Sequence, residues 1–401
     1  MSERPKILFV TSHWPAAPAY GAQQRVLNIA RLLGRFGDVS FVIVPTERED
    51  DETARKTMSE FDVRRVIRPA EEARPKGVIG RIRHEFDPLY MVADPYIVKA
   101  GDREFTQELI GQFDVVWVHT IRTANWFRFL RWPHSVLDLD DLPSRTYRSS
   151  ARSRPSKVRR LLDLRMAWIW KRRELRFRDR FDVLVACSED DRRYLGGSSQ
   201  IQVIPNGAEI QPEQRRALPE SPRIGFIGNC TFEPNEGGVK WFVSQVWPRI
   251  KREFPCAQFR LVGRGSAGYL TNLGQDITGL GWLEDPGDEI ATWSVMVVPI
   301  RVGGGTRVKT ADGFARRCPI VATSIGAFGY DIENGKQAFV EDSAEEFASA
   351  CILLLKDPAL RKAVSDRAYD YFLARWKWDS FATTVGAAVQ ECLDRQNRPG
   401  S

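Results

Sequence analysis

Residues Pro299–Thr323 read PIRVGGGTRVKTADGFARRCPIVAT, and this stretch decides the fold class. An apolar run leads into three consecutive glycines, a helical pattern follows them, and a second apolar run closes the stretch at Ile320–Thr323. The order predicts a strand, a tight loop, a helix and another strand, which is the repeating unit of a parallel α/β sheet.

The same alternation continues toward both ends of the chain. Its short runs are almost wholly apolar, as expected for strands covered by helices on both faces. They predict strands at Ile7–Val10, Val39–Val44, Val63–Ile67, Val115–Val118, Ser135–Leu139, Val183–Ala186, Gln202–Ile204, Ile224–Ile227, Gln258–Val262, Asp276–Thr278, Val295–Pro299, Ile320–Thr323 and Ala338–Val340. We expect two doubly wound, Rossmann-like α/β domains that face each other across a cleft, because each half has enough strands for its own sheet.

A segment without apolar periodicity, Pro205–Arg223, separates the two halves. We therefore predict an N-terminal domain over residues 1–205 and a C-terminal domain over residues 206–376. With 401 residues, 43% of them hydrophobic, the chain is long enough for two cores. The six cysteines are scattered and there are only four histidines, so we expect reduced thiols, a cytoplasmic location and no zinc site.

Positive charge is concentrated in one segment of the chain. Residues 152–180 hold twelve Lys and Arg and three acidic residues. The net charge of this segment, 12 − 3 = +9, is larger than the net charge of the whole chain, +7. A nucleic-acid-binding protein usually spreads its basic residues over a groove-sized face, so no nucleic-acid partner is expected. Two interpretations stay open: an amphipathic helix with a solvated basic face, or a dock on an anionic membrane surface. In both, Leu161, Leu164, Trp168 and Leu175 share one helical stripe.

The glycine-rich loop predicts a phosphate site. Glycines at 303–305 let the backbone approach a ligand, and the helix predicted to begin near Thr306 points its positive end at the same place. Three cations, Arg301, Arg307 and Lys309, flank the loop. We predict that it binds a diphosphate; a merely tight turn between strand and helix is the alternative.

Two nearby features fit the same interpretation. Asp312 lies within the helix, where a carboxylate is suited to accept both ribose hydroxyls, although it could instead pair with Lys309 three residues earlier. The sequence GRGSAG at 263–268 matches G-x-G-x-x-G after a predicted strand, which alone is weak evidence. We interpret it as a phosphate-facing loop with Arg264 as an anion ligand.

The first half contributes three candidate positions. His119 ends a predicted strand at the edge of the cleft, with a buried, hydrogen-bonded histidine as the alternative. Asp138 and Asp140 follow the next strand in a D-x-D pattern, which we assign to acceptor contact rather than to a metal, or to a capped turn. Gly21 and Ala22 lie between the first strand and its helix, where a Rossmann-like domain binds ligands.

Taken in order, these motifs resemble a known family. They are ILFVTSHWPAAPAYGAQQRVLNIARLL, VLDLDDLPS, VACSEDD, VIPNGAE, IGFIGNCTFEPNEGGVKWFVSQVWPRI, LVGRGS, ITGLGWLED, VVPIRVGGGTRVKTADGFARRCPIVATSIGAFG and RWKWDSF. Their order and spacing are similar to those of the retaining glycosyltransferases with two Rossmann-like domains (GT-B), of the family 4 type. The likeness covers essentially the whole chain.

The resemblance implies that the C-terminal domain, residues 206–376, binds a nucleotide-sugar donor and that the N-terminal domain, residues 1–205, binds a glycan or lipid-linked acceptor. The same resemblance implies retention at the anomeric carbon, and no metal or other cofactor. It also implies that a last helix, residues 377–396, crosses back to the first domain, and that the pathway makes cell-surface polysaccharide or glycolipid. The residues we assign to catalysis are His119, Arg307 and Lys309. Those assigned to the donor are Gly21, Ala22, Arg264, Trp282, Leu283, Arg301, Gly303, Gly304, Gly305, Thr306, Val308 and Asp312.

The chain departs from the family pattern at its charged positions. The first glutamate of the E-x7-E motif falls on Gly304, and the second is the shorter Asp312. The family's Arg and Lys after the first strand of the donor domain fall on Asn229 and Asn235. These departures motivate an alternative function, that of a catalytically silent nucleotide-sugar-binding or scaffold protein in polysaccharide assembly.

Overall fold

The computed structural model of the chain describes residues 3–16, 21–46, 51–72, 77, 80, 85–90, 96–154, 156–212, 216–268 and 274–396. They form two compact units. Met1–Ser144, Leu162–Pro205 and Phe381–Ser401 make the first, and Arg145–Leu161 with Asn206–Ser380 make the second. Residues 145–161, which the domain prediction assigns to the first domain, group with the second unit because they pack on it: the Arg145 guanidinium lies 5.0 Å from the ring centre of Phe328.

Seven parallel strands form the sheet of the first unit. Their order across the sheet is β3-β2-β1-β6-β7-β8-β9, with β1 Lys6–Thr11, β2 Asp38–Ile43, β3 Asp62–Val66, β6 Val115–His119, β7 Ser135–Asp138, β8 Val183–Ala186 and β9 Ile201–Val203. A separate antiparallel pair, which the sequence analysis did not predict, consists of β4 Ala70–Glu71 and β5 Tyr96–Ile97. Every residue of β6, β7 and β8 is buried, which explains their continuous apolar runs.

Six parallel strands form the sheet of the second unit. Their order is β12-β11-β10-β13-β14-β15, with β10 Arg223–Ile227, β11 Gln258–Val262, β12 Ile277–Gly279, β13 Val295–Val298, β14 Ile320–Ala322 and β15 Phe339–Val340. Both sheets thus have the strand order of a doubly wound Rossmann-like domain. The predicted fold class is confirmed, and each predicted strand lies within about two residues of its observed bounds.

Helices cover the faces of both sheets. In chain order they are α1 Ala22–Leu33, α2 Asp51–Glu60, α3 Ala100–Ile110, α4 Ile121–Trp126, α5 Pro143–Ser153, α6 Lys157–Glu174, α7 Phe177–Arg180, α8 Glu189–Tyr194, α9 Glu233–Trp241, a π-helix Phe242–Val246, α10 Trp247–Glu253, α11 Gly287–Ala291, α12 Val308–Ala315, α13 Ala344–Lys356, α14 Pro358–Arg375, a 3-10 helix Trp378–Phe381 and α15 Ala382–Gln396. The last of these, α15, packs on α1 and on the first sheet. Its Gln396 side chain donates to the Asp114 carbonyl at 2.7 Å.

The basic segment corresponds to α5, α6 and α7, and the orientation of α6 corrects one interpretation. An amphipathic helix would turn its apolar stripe inward, yet Leu161, Leu164 and Trp168 are all exposed. The helix packs instead through Ala167, Trp170 and Glu174 on its opposite side. In the part of the chain that the structure describes, no helix is both long and apolar enough to cross a bilayer.

Candidate functional site

The order of the second sheet reverses between β10 and β13, and ligands of doubly wound sheets bind where this reversal occurs. The loop after β13 carries the three glycines, and the loop after β10 begins at Gly228. A β-carbon placed on Gly263, which follows β11, would lie 2.2 Å from the Gly228 carbonyl oxygen. The carboxyl ends of three neighbouring strands therefore meet at one edge of the sheet.

The glycine loop is folded tightly against Arg307. Gly303 has φ 131° and Gly305 has φ 67°, values that side-chain-bearing residues rarely adopt. A β-carbon on Gly303 would lie 2.3 Å from Nη2 of Arg307. The loop requires glycine both for its backbone conformation and for the close approach of this guanidinium.

We expect Gly303→Ala to weaken the binding of a nucleoside diphosphate about tenfold, because the new methyl group displaces Arg307. Isothermal titration of the variant measures the loss. Gly237→Ala is the matched control, since a β-carbon in that helical position meets nothing within 4 Å. Equal affinities for the two variants would contradict a role for the loop geometry in binding.

Two of the three predicted cations turn inward and one does not. Arg307 donates from Nε to the Ile325 carbonyl at 3.3 Å, while its buried Nη2 has no hydrogen-bond acceptor among the residues that the structure describes. Lys309 also points inward. Arg301 is exposed, with its guanidinium 5.1 Å from the ring centre of Trp241. The unsatisfied Arg307 nitrogen is therefore a donor available to an anion.

Lys309 reaches across to the first turn of α9, the helix that follows the β10 loop. Its Nζ donates to Oδ1 of Asn235 at 2.7 Å and lies 4.3 Å from the ring centre of Phe226. Burial, and then the nearby Arg307, lower the pKa of Lys309 to about 7. Asn235 stands where the resemblance implies a lysine, and its side chain contacts the Lys309 ammonium.

The other predicted donor residues surround this edge. Gly263 donates from its backbone N to the Gly281 carbonyl at 2.8 Å. Trp282 and Leu283 are the next two residues of the chain after Gly281. The Arg264 carbonyl accepts from the Cys230 backbone N at 2.8 Å, and the Arg264 side chain is exposed. The G-x-G-x-x-G loop thus lies beside the β10 loop, and donor binding by Arg264, Trp282 and Leu283 stays a prediction.

Two residues that the sequence analysis did not single out hold the glycine loop. The Thr306 hydroxyl accepts from the Asn206 backbone N at 2.9 Å, and the Asn206 amide donates to the Thr306 carbonyl at 3.3 Å. Ser149 of α5 accepts the Gly303 N–H on its hydroxyl oxygen at 2.8 Å. Asn206 lies in the quoted motif VIPNGAE, whereas the contact of Ser149, 154 residues from its partner, left no pattern in the sequence.

We expect Ser149→Ala to strengthen binding of a nucleoside diphosphate by up to about fivefold. The Ser149 oxygen occupies one loop N–H that an anion would otherwise accept, and a hydrogen bond of this kind contributes about 1 kcal/mol. Ser150→Ala on the same helix is the control. Weaker binding by Ser149→Ala alone would show that the hydroxyl supports the loop instead of competing with the ligand.

Asp312 pairs with a different residue from the one that its spacing suggested. Oδ1 of Asp312 accepts from Nε of Arg316 at 3.0 Å, so the pairing with Lys309 that was the alternative does not form. Arg316 lies one turn further along the helix, and Lys309 is engaged by Asn235. The helix begins at Val308 with Arg307 as its N-cap, close to the predicted start near Thr306. A ribose contact of Asp312 stays a prediction.

The first sheet has its own reversal point, between β1 and β6, and His119 lies there. The His119 ring is fully buried and stands edge-on to His13, with ring centres 5.8 Å apart. Neither ring nitrogen of His119 has a hydrogen-bond partner among the residues that the structure describes. Burial lowers the pKa of His119 and also lowers that of His13, to about 3. The alternative of a buried, hydrogen-bonded histidine is therefore right about the burial and wrong about the hydrogen bonds.

Asp138 is held in the core of the first unit rather than at a ligand-accessible surface. Its carboxylate accepts from Nε and Nη2 of Arg25, and both side chains have no exposed surface. Arg25 also donates from Nη1 to the Ile204 carbonyl at 2.9 Å. The Asp138 carboxylate is thus already paired, which corrects its assignment to acceptor contact. Oδ1 of the neighbouring Asp140 lies 3.9 Å from the Cys187 sulfur.

Gly21 is the N-cap of α1, at the same edge as His119, and Ala22 is the first helical residue. Gly21 has φ 54°, in the left-handed region that favours glycine. A β-carbon there would meet nothing within 4 Å among the residues that the structure describes. The structure leaves the predicted donor contact of these two residues a prediction.

Comparison with known proteins gives a match to one family model over part of the chain, and it identifies the fold. Residues 221–357 match the model of the family described as "Glycosyl transferases group 1". An "Uncharacterized 44.6 kDa protein in cps region" of Klebsiella pneumoniae is 24% identical over 156 residues. That match covers 36% of this chain and 40% of the Klebsiella protein.

Solved structures match over almost the full length. Sucrose-phosphate synthase from Thermosynechococcus elongatus is 16% identical, with a TM-score of 0.66 over 99% of this chain and 100% of that one. Anabaena HepE in complex with UDP and glucose is 16% identical, with a TM-score of 0.60 over 97% and 99%. A mutant of S. aureus TarM, in complex with fondaparinux, alpha-GlcNAc-glycerol and UDP, is 10% identical, with a TM-score of 0.67 over 96% and 99%.

At these identities the structural likeness establishes the fold alone. The family match lies within the second unit and includes the β10 loop, the glycine loop and α12. The chain therefore has the two Rossmann-like sheets of the GT-B glycosyltransferase fold, and the sheet edge that carries the glycine loop lies within the segment that matches glycosyl transferases group 1.

Proposed function

We propose that this protein is a glycosyltransferase that moves a sugar from a nucleoside-diphosphate sugar to a glycan or lipid-linked acceptor, in the cytoplasm. One observation carries the proposal: the glycine loop, the unsatisfied nitrogen of Arg307 and the ammonium of Lys309 meet at the reversal point of the second sheet. The segment that holds them matches the glycosyl transferases group 1 model.

The proposed role of this edge is to hold and stabilise the diphosphate. Negative charge accumulates on the diphosphate as its bond to the sugar breaks, so donors fixed in advance lower the barrier. Backbone N–H groups of Gly304, Gly305 and the first turn of α12 supply such donors. Lys309 and Arg307 add two cations from the same loop and helix.

Retention and independence of metal are the finer part of the proposal. As the bond breaks, the sugar gains oxocarbenium character, as in glycoside chemistry. The acceptor hydroxyl then attacks the face that the diphosphate leaves, and a diphosphate oxygen takes its proton, so no protein base is needed. The cations of Lys309 and Arg307 take the charge-neutralising role that a metal has in other transferases. His119 offers two unpaired nitrogens to a polar group of the substrate.

The relatives guide the choice of reagents. HepE is in complex with UDP and glucose, and TarM with UDP, which supports uridine nucleotides as the first donors to test. The Klebsiella relative belongs to a cps region, which supports placing the reaction in the synthesis of cell-surface polysaccharide.

A thermal-shift panel with UDP, GDP, ADP and CMP tests the donor. A ligand at 100 times its dissociation constant stabilises a protein by about 2.7 kcal/mol, so we expect a clear rise in Tm with one diphosphate and none with CMP. The corresponding nucleotide sugar is then supplied, and the anomeric configuration of the product is read by NMR. No shift with any of the four nucleotides would contradict the proposal. Binding without release of nucleoside diphosphate would favour the catalytically silent alternative, and an inverted product would remove retention alone.

A further inference from the structure

The helix α6 presents an apolar stripe to solvent. Leu161, Leu164 and Trp168 follow each other at intervals of three and four residues, so they lie on one side of the helix. Their exposed fractions are 69%, 42% and 60%. Leu175, just past the end of the helix, extends the stripe and is also exposed. From Leu161 to Leu175 the stripe is about 21 Å long at 1.5 Å per residue.

A second exposed aromatic residue is held beside this helix. Arg173 of α6 donates from Nη2 to the carbonyl oxygens of Glu85, at 2.9 Å, and Asp87, at 2.7 Å. These two residues flank Phe86, whose side chain is 85% exposed. Arg165 pairs with the Glu85 carboxylate in the same place. The helix thus fixes the backbone on both sides of an aromatic ring that packs on little of the protein.

Basic side chains alternate with the apolar ones. Arg165, Arg172 and Arg176 are exposed along the same side of the segment. The guanidinium of Arg172 lies 4.8 Å from the ring centre of Trp168, so the indole and a positive charge are presented together. The surface is therefore both apolar and cationic, and we call these residues, with Leu161, Leu164, Leu175 and Phe86, the α6 surface.

We infer that the α6 surface docks on an anionic lipid membrane, with α6 lying in the plane of the interface. Helices of this kind bury apolar side chains at the boundary of headgroups and acyl chains while their cations meet lipid phosphates. Charge complementarity selects this occupant, since the segment that contains α6 carries twelve cations and three acidic residues. Long Arg side chains reach the headgroups from beside the buried apolar residues.

This inference rests on the proposed function in one respect: a lipid-linked acceptor would explain why the protein binds a membrane. Docking by α6 would bring the first unit to the surface in which such an acceptor is embedded. Vesicle binding is measured without donor or acceptor, so a failure of docking leaves sugar transfer untouched. Likewise, absence of transfer would leave the docking result standing.

The test is cosedimentation of the full-length protein with vesicles of 30% phosphatidylglycerol in phosphatidylcholine and with vesicles of phosphatidylcholine alone. We expect at least tenfold stronger partitioning to the anionic vesicles. Arg172→Gln with Arg176→Gln should weaken it about 25-fold, at about fivefold for each cation near an anionic surface. The charge-matched control is Arg31→Gln with Arg35→Gln, two exposed residues at the end of α1.

A second pair of variants tests the apolar contribution. Leu164→Ser with Trp168→Ser should lower anionic-vesicle binding at least tenfold. Leu130→Ser, at a leucine outside α6 that is 68% exposed, should leave it unchanged. Circular dichroism checks that each variant folds. Should the double variant not fold, quenching of tryptophan fluorescence by brominated phosphatidylglycerol replaces it, and Trp168→Phe should lose part of that quenching.

Three outcomes would overturn the inference. The first is equal binding to neutral and anionic vesicles, and the second is an equal loss of binding in the control and the α6 variants. The third is self-association of the wild-type protein in sedimentation velocity, if Leu164→Ser with Trp168→Ser abolishes it but still binds vesicles. The last result would assign the α6 surface to a second copy of the chain.

Discussion

Lys309→Met is expected to lower the rate of sugar transfer by about 10²–10³ while the protein stays folded. The variant keeps most of the side-chain volume but removes the ammonium that lies 2.7 Å from Asn235. Loss of one preorganised charge-stabilising group typically costs a rate factor of that size. Steady-state kinetics with the nucleotide sugar found by the thermal-shift panel measures the effect, mainly in kcat.

The matched control is Lys240→Met, which removes an exposed lysine of α9 that pairs with Glu236. We expect this control to transfer at nearly the wild-type rate. Arg307→Ala should resemble Lys309→Met, because its unsatisfied nitrogen faces the same loop. Transfer within threefold of wild type by both site variants would place the diphosphate elsewhere.

The pH dependence of binding gives Lys309 its own signature. Its pKa of about 7 in the free protein means that the ammonium is present below pH 7 and is lost above it. A bound diphosphate favours the charged form and raises this pKa. The dissociation constant for the nucleoside diphosphate should therefore rise from pH 7 upward, until the pH reaches the higher pKa of the complex. This rise should be absent in Lys309→Met.

Asp138→Asn is expected to destabilise the first unit by about 3–5 kcal/mol. The substitution leaves the fully buried guanidinium of Arg25 without its countercharge, and breaking one side of a buried ion pair has a cost of that order. Urea denaturation followed by far-UV circular dichroism should show a lower midpoint for the transition of this unit. Activity at low temperature, where the unit stays folded, should fall much less than stability does.

The control for this prediction is Asp62→Asn. Asp62 pairs with Arg64 at 2.8 Å, but about half of each side chain is exposed, so its loss should change stability by at most about 1 kcal/mol. If Asp138→Asn kept wild-type stability and instead raised the KM for the acceptor, the carboxylate would be an acceptor ligand and its structural role would be refuted.

Most of the fold was predictable from local patterns. A strand buried on both faces has to be apolar along its whole length, and β6 and β8 show such runs. The antiparallel pair β4–β5 was missed because strands of two residues have no detectable periodicity. The spacing of the α6 stripe was also predicted from the sequence. Its exposure to solvent was not predicted, because apolar residues at helical intervals usually face a core.

The candidate site divided in the same way. The glycine loop, its flanking cations and the helix after it were recognised from residue type and spacing within nine positions, and the family match covers the same segment. The Asn235–Lys309, Arg25–Asp138 and Ser149–Gly303 contacts were not recognised, because they join residues 74, 113 and 154 positions apart.

Local patterns were sufficient to predict the strands and the place of the glycine loop, because strand periodicity, residue type and glycine spacing are all properties of near neighbours in the chain. The pairing of the charged side chains is visible only in the tertiary structure. Asp138 forms an ion pair with Arg25, Asp312 forms one with Arg316, and Lys309 donates a hydrogen bond to Asn235. Such pairings depend on which strand ends the folded sheets bring together, and no local pattern encodes that distance.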